Sequence, residues 1–160
     1  MNRAYLLTGG NMGDREASLD EARQWIEADC GAVLRASAQY ETAPWGKTDQ
    51  PSFLNQALEI QTALNAKQLI RHVLKIEKKM GRIREEKLGP RLIDIDILLF
   101  NDEIYKTSFL EVPHPEMHNR RFVLVPLAEI APDAVHPILS KTITELLRDC
   151  PDTLPVKKHA

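Results

Sequence analysis

No apolar run in this chain approaches the ~20 residues needed to cross a bilayer. The opening "MNRAYLLTGG" is too short an apolar stretch for a secretory leader, so a cytoplasmic protein is expected. Cysteine is scarce. Cys30 and Cys150 stand far apart with no CxxC spacing, which fits two free thiols better than a disulfide or a metal knot. Neither sign of charge dominates: 21 basic and 23 acidic residues leave a formal net charge of −2, and nothing marks a nucleic acid or an anionic membrane as partner. The phosphate-binding pattern GxxxxGK[ST] is missing, and "TGGNMGD" at 8–14 fails GxGxxG. Repeats and low-complexity tracts are missing too. The 160 residues therefore read as one domain with room for a real core.

What is present has a regular rhythm. "AYLLTGG" reads as a short buried strand stopped by glycines, which either make a turn or let backbone approach a ligand. The next segment has Leu19, Ala22 and Ile26 at helical spacing, with Asp14 placed to cap the first turn. "AVLRASAQY" is a second strand and "FLNQALEIQ" a third, with Phe53, Asn55 and Ala57 on one face. Asn65 and Gln68 form a capping-box start, behind which Leu69, Val73, Ile76 and Met80 make one stripe. "GPRLIDIDILLF", residues 89–100, is the fourth strand. The order is β-α-β-β-α-β, so the expected class is α+β with a ferredoxin-like core sheet. From about residue 101 a short hairpin, a helix beginning near Phe122 and a last helix around "TITELLRD" complete the chain. Loops 43–52 and 82–91 are long for a compact domain, as functional lids often are, with mobile surface loops as the plainer alternative.

The fourth strand carries the chemistry. Asp94 and Asp96 are two apart, so both point to one face with Cα atoms ~6.6 Å apart. Leu98 and Phe100 are expected on that face. At an effective dielectric near 20 two such carboxylates repel by roughly 3 kcal/mol. Protonation of one carboxylate or a divalent cation between them relieves this; the alternative is a solvated or edge strand whose inward charges block aggregation. Arg82, Arg84, Lys87 and Arg91 precede the pair, and Arg120 and Arg121 follow later. Arginine forks suit phosphate oxygens, so acidic pair plus arginines reads as a triphosphate site without a P-loop. A solvated charge run paired with Glu85 and Glu86 stays open for the arginines. In "VPHPEMHNRRF", Pro113 and Pro115 argue against a helical metal pair. His114 suits a phosphate or a nucleotide hydroxyl, and His118 reads as a surface residue.

These stretches together resemble the 6-hydroxymethyl-7,8-dihydropterin pyrophosphokinase family. "GPRLIDIDILLF" looks like that family's signature, and the likeness continues in "YETAPWG", "QPSFLNQA", "EKKMGRIR" and "VPHPEMHNRRFVLVPLAEIAP". It runs collinearly over roughly residues 4–135, with departures at Gly10, Ala43, Leu88 and Pro115. The resemblance implies a ferredoxin-like fold and transfer of the terminal diphosphate of ATP to a pterin hydroxymethyl group, with release of AMP, in folate biosynthesis. It implies two Mg²⁺ ions held by Asp94 and Asp96, which with Arg82 and Arg91 would form the catalytic set. Arg82, Arg84, Arg91, His114 and Arg120 would handle the polyphosphate, and Ile97 and Leu110 would lie near the adenine. Glu77 matches a family position whose role is structural or ATP-binding. For the pterin, Phe53 and Phe122 would sandwich the ring, Asn55 would bond its amide edge, and Thr42 and Trp45 would contribute from the second loop. Without the family, Phe53 and Asn55 read equally well as core residues. ATP and the pterin are the expected partners of an expected monomer.

Two rivals are set against this reading. Another phosphoryl or nucleotidyl transferase on the same fold would give ADP or pyrophosphate instead of AMP. A ferredoxin-like binding module is the other: an RNA-recognition domain would show aromatics and glycine on a central strand, where this chain has acidic residues, and a ligand-sensing domain would bind small molecules without ATP turnover.

Overall fold

Both faces of the first strand are apolar, and that decides the layering. In β1 (Asn2–Gly10), Ala4 and Leu6 enter one core cluster while Leu7 enters another, with Tyr5 packed against it. A sheet apolar on both sides needs cover on both sides. A computed structural model of the chain describes residues 1–43, 49–81 and 92–159. In it α1 (Arg15–Asp29) and α2 (Ala66–Lys79) cover one face, and α3 (Arg121–Ile130) and α4 (Ile143–Arg148) cover the other.

The helix starts follow from their capping residues. Asp14 accepts a hydrogen bond from Ala17 N at 3.1 Å, and Asn65 and Gln68 form the reciprocal capping box. Leu69, Val73 and Ile76 are fully buried and Met80 nearly so, as one 3.6-residue stripe requires. Each such aliphatic side chain contributes about 1.5–3 kcal/mol by leaving water.

The sheet runs β5 (Asp94–Phe100), β1, β4 (Phe53–Thr62), β3 (Tyr40–Thr42), β8 (Val156–Lys158), with β2 (Ala32–Ala36) also on β4. Every pairing is antiparallel, and the core follows the expected β-α-β-β-α-β order. One expected strand is two. The 32–40 segment breaks because Ser37 replaces a main-chain carbonyl with its hydroxyl. Its N–H donates to Ala57 O at 2.9 Å, and its Oγ accepts from Ala57 N at 2.9 Å. A side chain bonding locally to backbone bends a strand in this way.

β5 begins at Asp94, and residues 89–91 of the expected strand lie outside the described residues. A register shift opposite Tyr5 and Leu6 sends Leu98 and Leu99 into the α3–α4 cluster and Phe100 into the other. The expectation that Leu98 and Phe100 share a face is therefore corrected: a bulge flips every side chain after it. The expected hairpin is β6 (Tyr105–Lys106) with β7 (Glu111–Val112). A short 3₁₀ turn at Met117–Asn119 leads into α3, and β8 is an element that the sequence pattern did not announce.

Candidate active site

The α3–α4 helices cover only part of their face of the sheet. Where α3 begins, the sheet surface is open, and a pocket there is lined by Leu7, Gly9, Thr42, Ala43, Phe53, Asn55, Asp94, Asp96, Arg120 and Phe122. Strand register explains the arrangement. Gly9 pairs with Asp94 on one side and Asn55 on the other, and Leu7 pairs with Asp96 and Ala57. Asp94, Gly9 and Asn55 thus form one row across three strands, and the glycine leaves the middle of that row without a side chain.

Of the two readings open for these glycines, a turn or a close backbone approach, β1 continues through Gly10, and it is Gly13, with φ +63°, that turns the chain. Gly9 is needed for close approach instead: a Cβ there would meet Asn55 Oδ1 at 2.1 Å. The amide of Asn55 lies over the glycine. That side chain is 4% exposed, and its Nδ2 has no hydrogen-bond partner among the described residues. An unpaired buried donor costs about 1–3 kcal/mol, and here it faces a pocket walled by Phe53 and Phe122.

Asp94 and Asp96 share the pocket face as their spacing requires, and both are half-buried. β5 is the sheet edge, the placement that an aggregation-blocking role would also use. The outward N–H of Ile95, between the two aspartates, has no strand beside it. Glu77 Oε2 accepts that bond at 2.7 Å from α2, across the sheet from the carboxylates, and Glu77 is buried. Glu77 therefore holds the backbone that carries the acidic pair.

Arg120 precedes α3, and its guanidinium carbon is 5.9 Å from the Phe122 ring centre, within cation–π range. His114 lies within electrostatic reach of Asp94 and Arg120. Burial first, and then the Arg120 charge, lower its pKa, with Asp94 and Glu116 opposing. Its Nδ1 accepts from Glu116 N at 3.2 Å, so the neutral ring keeps Nε2–H as a donor. Ile97 and Leu110 are both buried in the α1–α2 cluster. Trp45, Arg82, Arg84 and Arg91, with half of the expected lid loop 43–52 and all of 82–91, lie outside the described residues.

The sequence reading missed two features. His118, expected at the surface, is half-buried, and its ring packs edge-on to buried His136 at 6.3 Å between centres. Asn11 is buried and donates from Nδ2 to Gln50 Oε1 and Pro51 O, both at 2.9 Å, tying the glycine turn to the end of the second loop. An asparagine beside glycines signals a turn locally, and its partners some forty residues away leave no mark in the pattern.

No group of three or more His, Cys, Asp or Glu side chains that could hold a metal occurs among the described residues. Two carboxylates alone suit Mg²⁺, which commonly completes its octahedron with phosphate oxygens and water. The oxygen donors of Asp94 and Asp96 fit such an ion.

Comparisons with known proteins identify the family. Residues 5–132 match the family model described as 7,8-dihydro-6-hydroxymethylpterin-pyrophosphokinase. The chain is 47% identical over 148 residues to a 2-amino-4-hydroxy-6-hydroxymethyldihydropteridine pyrophosphokinase of Methylorubrum extorquens, covering 92% of each. It is 48% identical over 130 residues to the protein of that name from Bacillus subtilis, covering 81% of this chain and 78% of the relative. In fold it is similar to the wild-type HPPK-DHPS of Plasmodium falciparum solved with pteroate, with a TM-score of 0.75 at 19% identity. That likeness covers 92% of this chain and 42% of the longer protein. The chain belongs to the 7,8-dihydro-6-hydroxymethylpterin-pyrophosphokinase family and is a pyrophosphokinase of folate biosynthesis.

Proposed function

We propose that the pocket holds 6-hydroxymethyl-7,8-dihydropterin between Phe53 and Phe122 and presents its hydroxymethyl group to Mg²⁺-bound ATP at Asp94 and Asp96. The observation that carries this reading is the buried, unpartnered Nδ2 of Asn55 in a pocket that Phe53 and Phe122 also line. A pterin offers a flat π-face for the rings and a polar edge for the amide. Offset aromatic contacts contribute about 0.5–1.5 kcal/mol beyond the area they bury. Thr42 closes the same wall, and Trp45 is assigned to it as well.

The row Asp94–Gly9–Asn55 supports the division of labour. Adjacent strands lie about 4.8 Å apart, so the acidic end of the row is roughly 10 Å from Asn55. That is about the span of a bicyclic pterin with its hydroxymethyl arm. With the ring anchored at Asn55, the arm points toward the carboxylates. The hydroxyl oxygen attacks the β-phosphorus, the bond from that phosphorus to the α-phosphate oxygen breaks, AMP leaves, and the hydroxyl proton passes to solvent.

Bound at Asp94 and Asp96, two Mg²⁺ ions would supply charge neutralisation on the triphosphate. The chain's own contribution is positional and electrostatic. Arg120 brings a fixed cation beside the pocket, neutral His114 offers an Nε2–H donor, and Arg82, Arg84 and Arg91 are assigned to the polyphosphate. We place Ile97 and Leu110 near the adenine, and Glu77 beneath the metal site through Ile95. Orienting two reactants in line can itself contribute several kcal/mol to the barrier reduction.

Asp94→Ala and Asp96→Ala test the assignment. Each should lower Mg²⁺-dependent AMP release at least a thousandfold, the order expected of residues organising a phosphoryl-transfer transition state. Circular dichroism and Tm should stay close to wild type or rise, because half of a repelling pair is gone. Full Mg²⁺-dependent turnover in either variant would sink the metal assignment.

A further inference from the structure

We infer that Asp152, in the C-terminal tail beyond the family-matched region, is a positioning residue for the pterin pocket. The inference rests on the pterin reading given above. α3 carries Phe122 in its first turn and Arg120 as its cap, yet Arg120 makes no side-chain cap of its own. The cap comes from 31 residues away. Asp152 Oδ2 accepts from the backbone N–H of Arg121 at 2.9 Å, and Oδ1 accepts from Leu154 N at 3.0 Å. A carboxylate there satisfies one of the four orphan donors of a helix start and sits at the favourable end of its dipole.

The same short segment is fastened at its other end to the opposite wall of the pocket. Val156, Lys157 and Lys158 pair with Thr42, Glu41 and Tyr40, and Thr42 in turn pairs with Phe53 on β4. His159 N donates to Gln39 O at 2.8 Å, while its Nε2 meets Glu16 Oε1 at 2.6 Å on the first turn of α1. Residues 152–159 therefore tie the start of α3, with Arg120 and Phe122, to the strand that bears Thr42 and abuts Phe53. One strap sets the gap between the two aromatic walls. The influence of the Asp152 carboxylate on the pocket would pass through the Arg121 amide that it holds.

The experiment combines kinetics with amide exchange on the full chain. Asp152→Ala should raise the KM for 6-hydroxymethyl-7,8-dihydropterin about tenfold, the equivalent of one lost hydrogen bond to a charged acceptor, with kcat changed less than about twofold. Asp152→Asn keeps an acceptor oxygen and should stay within about threefold of wild type, since the bond survives without its charge. Exchange at the Arg121 and Phe122 amides should quicken in the alanine variant and not in the asparagine one. Asp149→Ala, which removes exposed ion pairs with Lys141 and Arg148, should leave both readouts at wild-type values.

An unchanged pterin KM in Asp152→Ala overturns the inference, as does an equal rise in Asp149→Ala. Should Asp152→Ala fail to fold, Lys157→Pro tests the other end of the strap. The His159 bond and the two-residue ladder period aim Lys157 N–H at Glu41, where proline cannot donate. The pterin KM must rise in that variant as well, and an unchanged value overturns the inference. A wild-type protein that releases no AMP with the pterin would refute the functional reading, while amide exchange would still report whether the strap exists.

Discussion

Replacing Gly9 with alanine puts a methyl group into space that Asn55 already holds. The new Cβ would lie 2.1 Å from Asn55 Oδ1 and 3.2 Å from its Cγ, whereas contacts under 3.0 Å essentially never occur. The nearest backbone atom, Leu54 O at 3.4 Å, is at ordinary contact distance, so the conflict is with one side chain. Asn55 must swing out of its row. Overpacking of this kind costs about 1–3 kcal/mol of stability. Moving the amide also removes the pterin's polar anchor and leaves a ligand group unpaired, about 1–3 kcal/mol of affinity, or roughly 5- to 150-fold in Kd. Asn55→Ala alone should lose the same affinity with little loss of stability, because it deletes a donor that has no partner among the described residues. In Gly9→Ala/Asn55→Ala the clash is gone. Stability should recover, and Kd should stay at the Asn55→Ala level, a coupling of about 1–3 kcal/mol in the double-mutant cycle. Calorimetric titration of the pterin and thermal denaturation read both quantities. Wild-type pterin affinity in Gly9→Ala, or a double variant destabilised by the sum of the singles, would refute the reasoning.

Glu77→Ala should strand the buried Ile95 amide and cost about 1–3 kcal/mol, a fall of roughly 2–12 °C in Tm for a chain of this size. Glu77→Gln keeps an acceptor and should lose much less; equal losses would show that the Ile95 bond is not what the carboxylate provides. Acid should destabilise the protein before its carboxylates titrate. His114 and His136 both have lowered pKa values, each chiefly through burial, then through the Arg120 charge and His118 respectively. Below about pH 6.5 the unfolded chain binds protons that these native imidazoles resist, so stability falls as pH drops from 6.5 toward 5.5 and is level above that window. Melting curves at pH 7.5, 6.5 and 5.5 test this, and a Tm that is flat or rising on acidification contradicts it.

Much of the site was legible because it rests on short-range periodicity. Asp94 and Asp96 share a face in any strand, Phe53 and Asn55 share one two residues apart, and Asn65 and Gln68 make a cap whatever surrounds them. What the pattern hid depends on partners far along the chain. Gly9 reads as a turn or as a close backbone approach until Asn55, forty-six positions later, is laid beside it. The break at Ser37 needs Ala57, and the reversal at Phe100 needs the register of β1 against β5. β8 spans three residues, too few for a period, and exists because β3 offers an edge. Glu77 matched a family position with two roles open. Its bond to Ile95 explains a buried carboxylate on an apolar helix face, since an edge strand leaves one amide without a neighbour.

The most direct test of the central claim is to incubate the chain with Mg²⁺, ATP labelled at the β-phosphorus and 6-hydroxymethyl-7,8-dihydropterin, and to follow where the label goes. AMP release should require both the metal and the pterin, with the labelled phosphorus recovered in the pterin diphosphate. ADP or free pyrophosphate as the product, or AMP released at the same rate without the pterin, would contradict it.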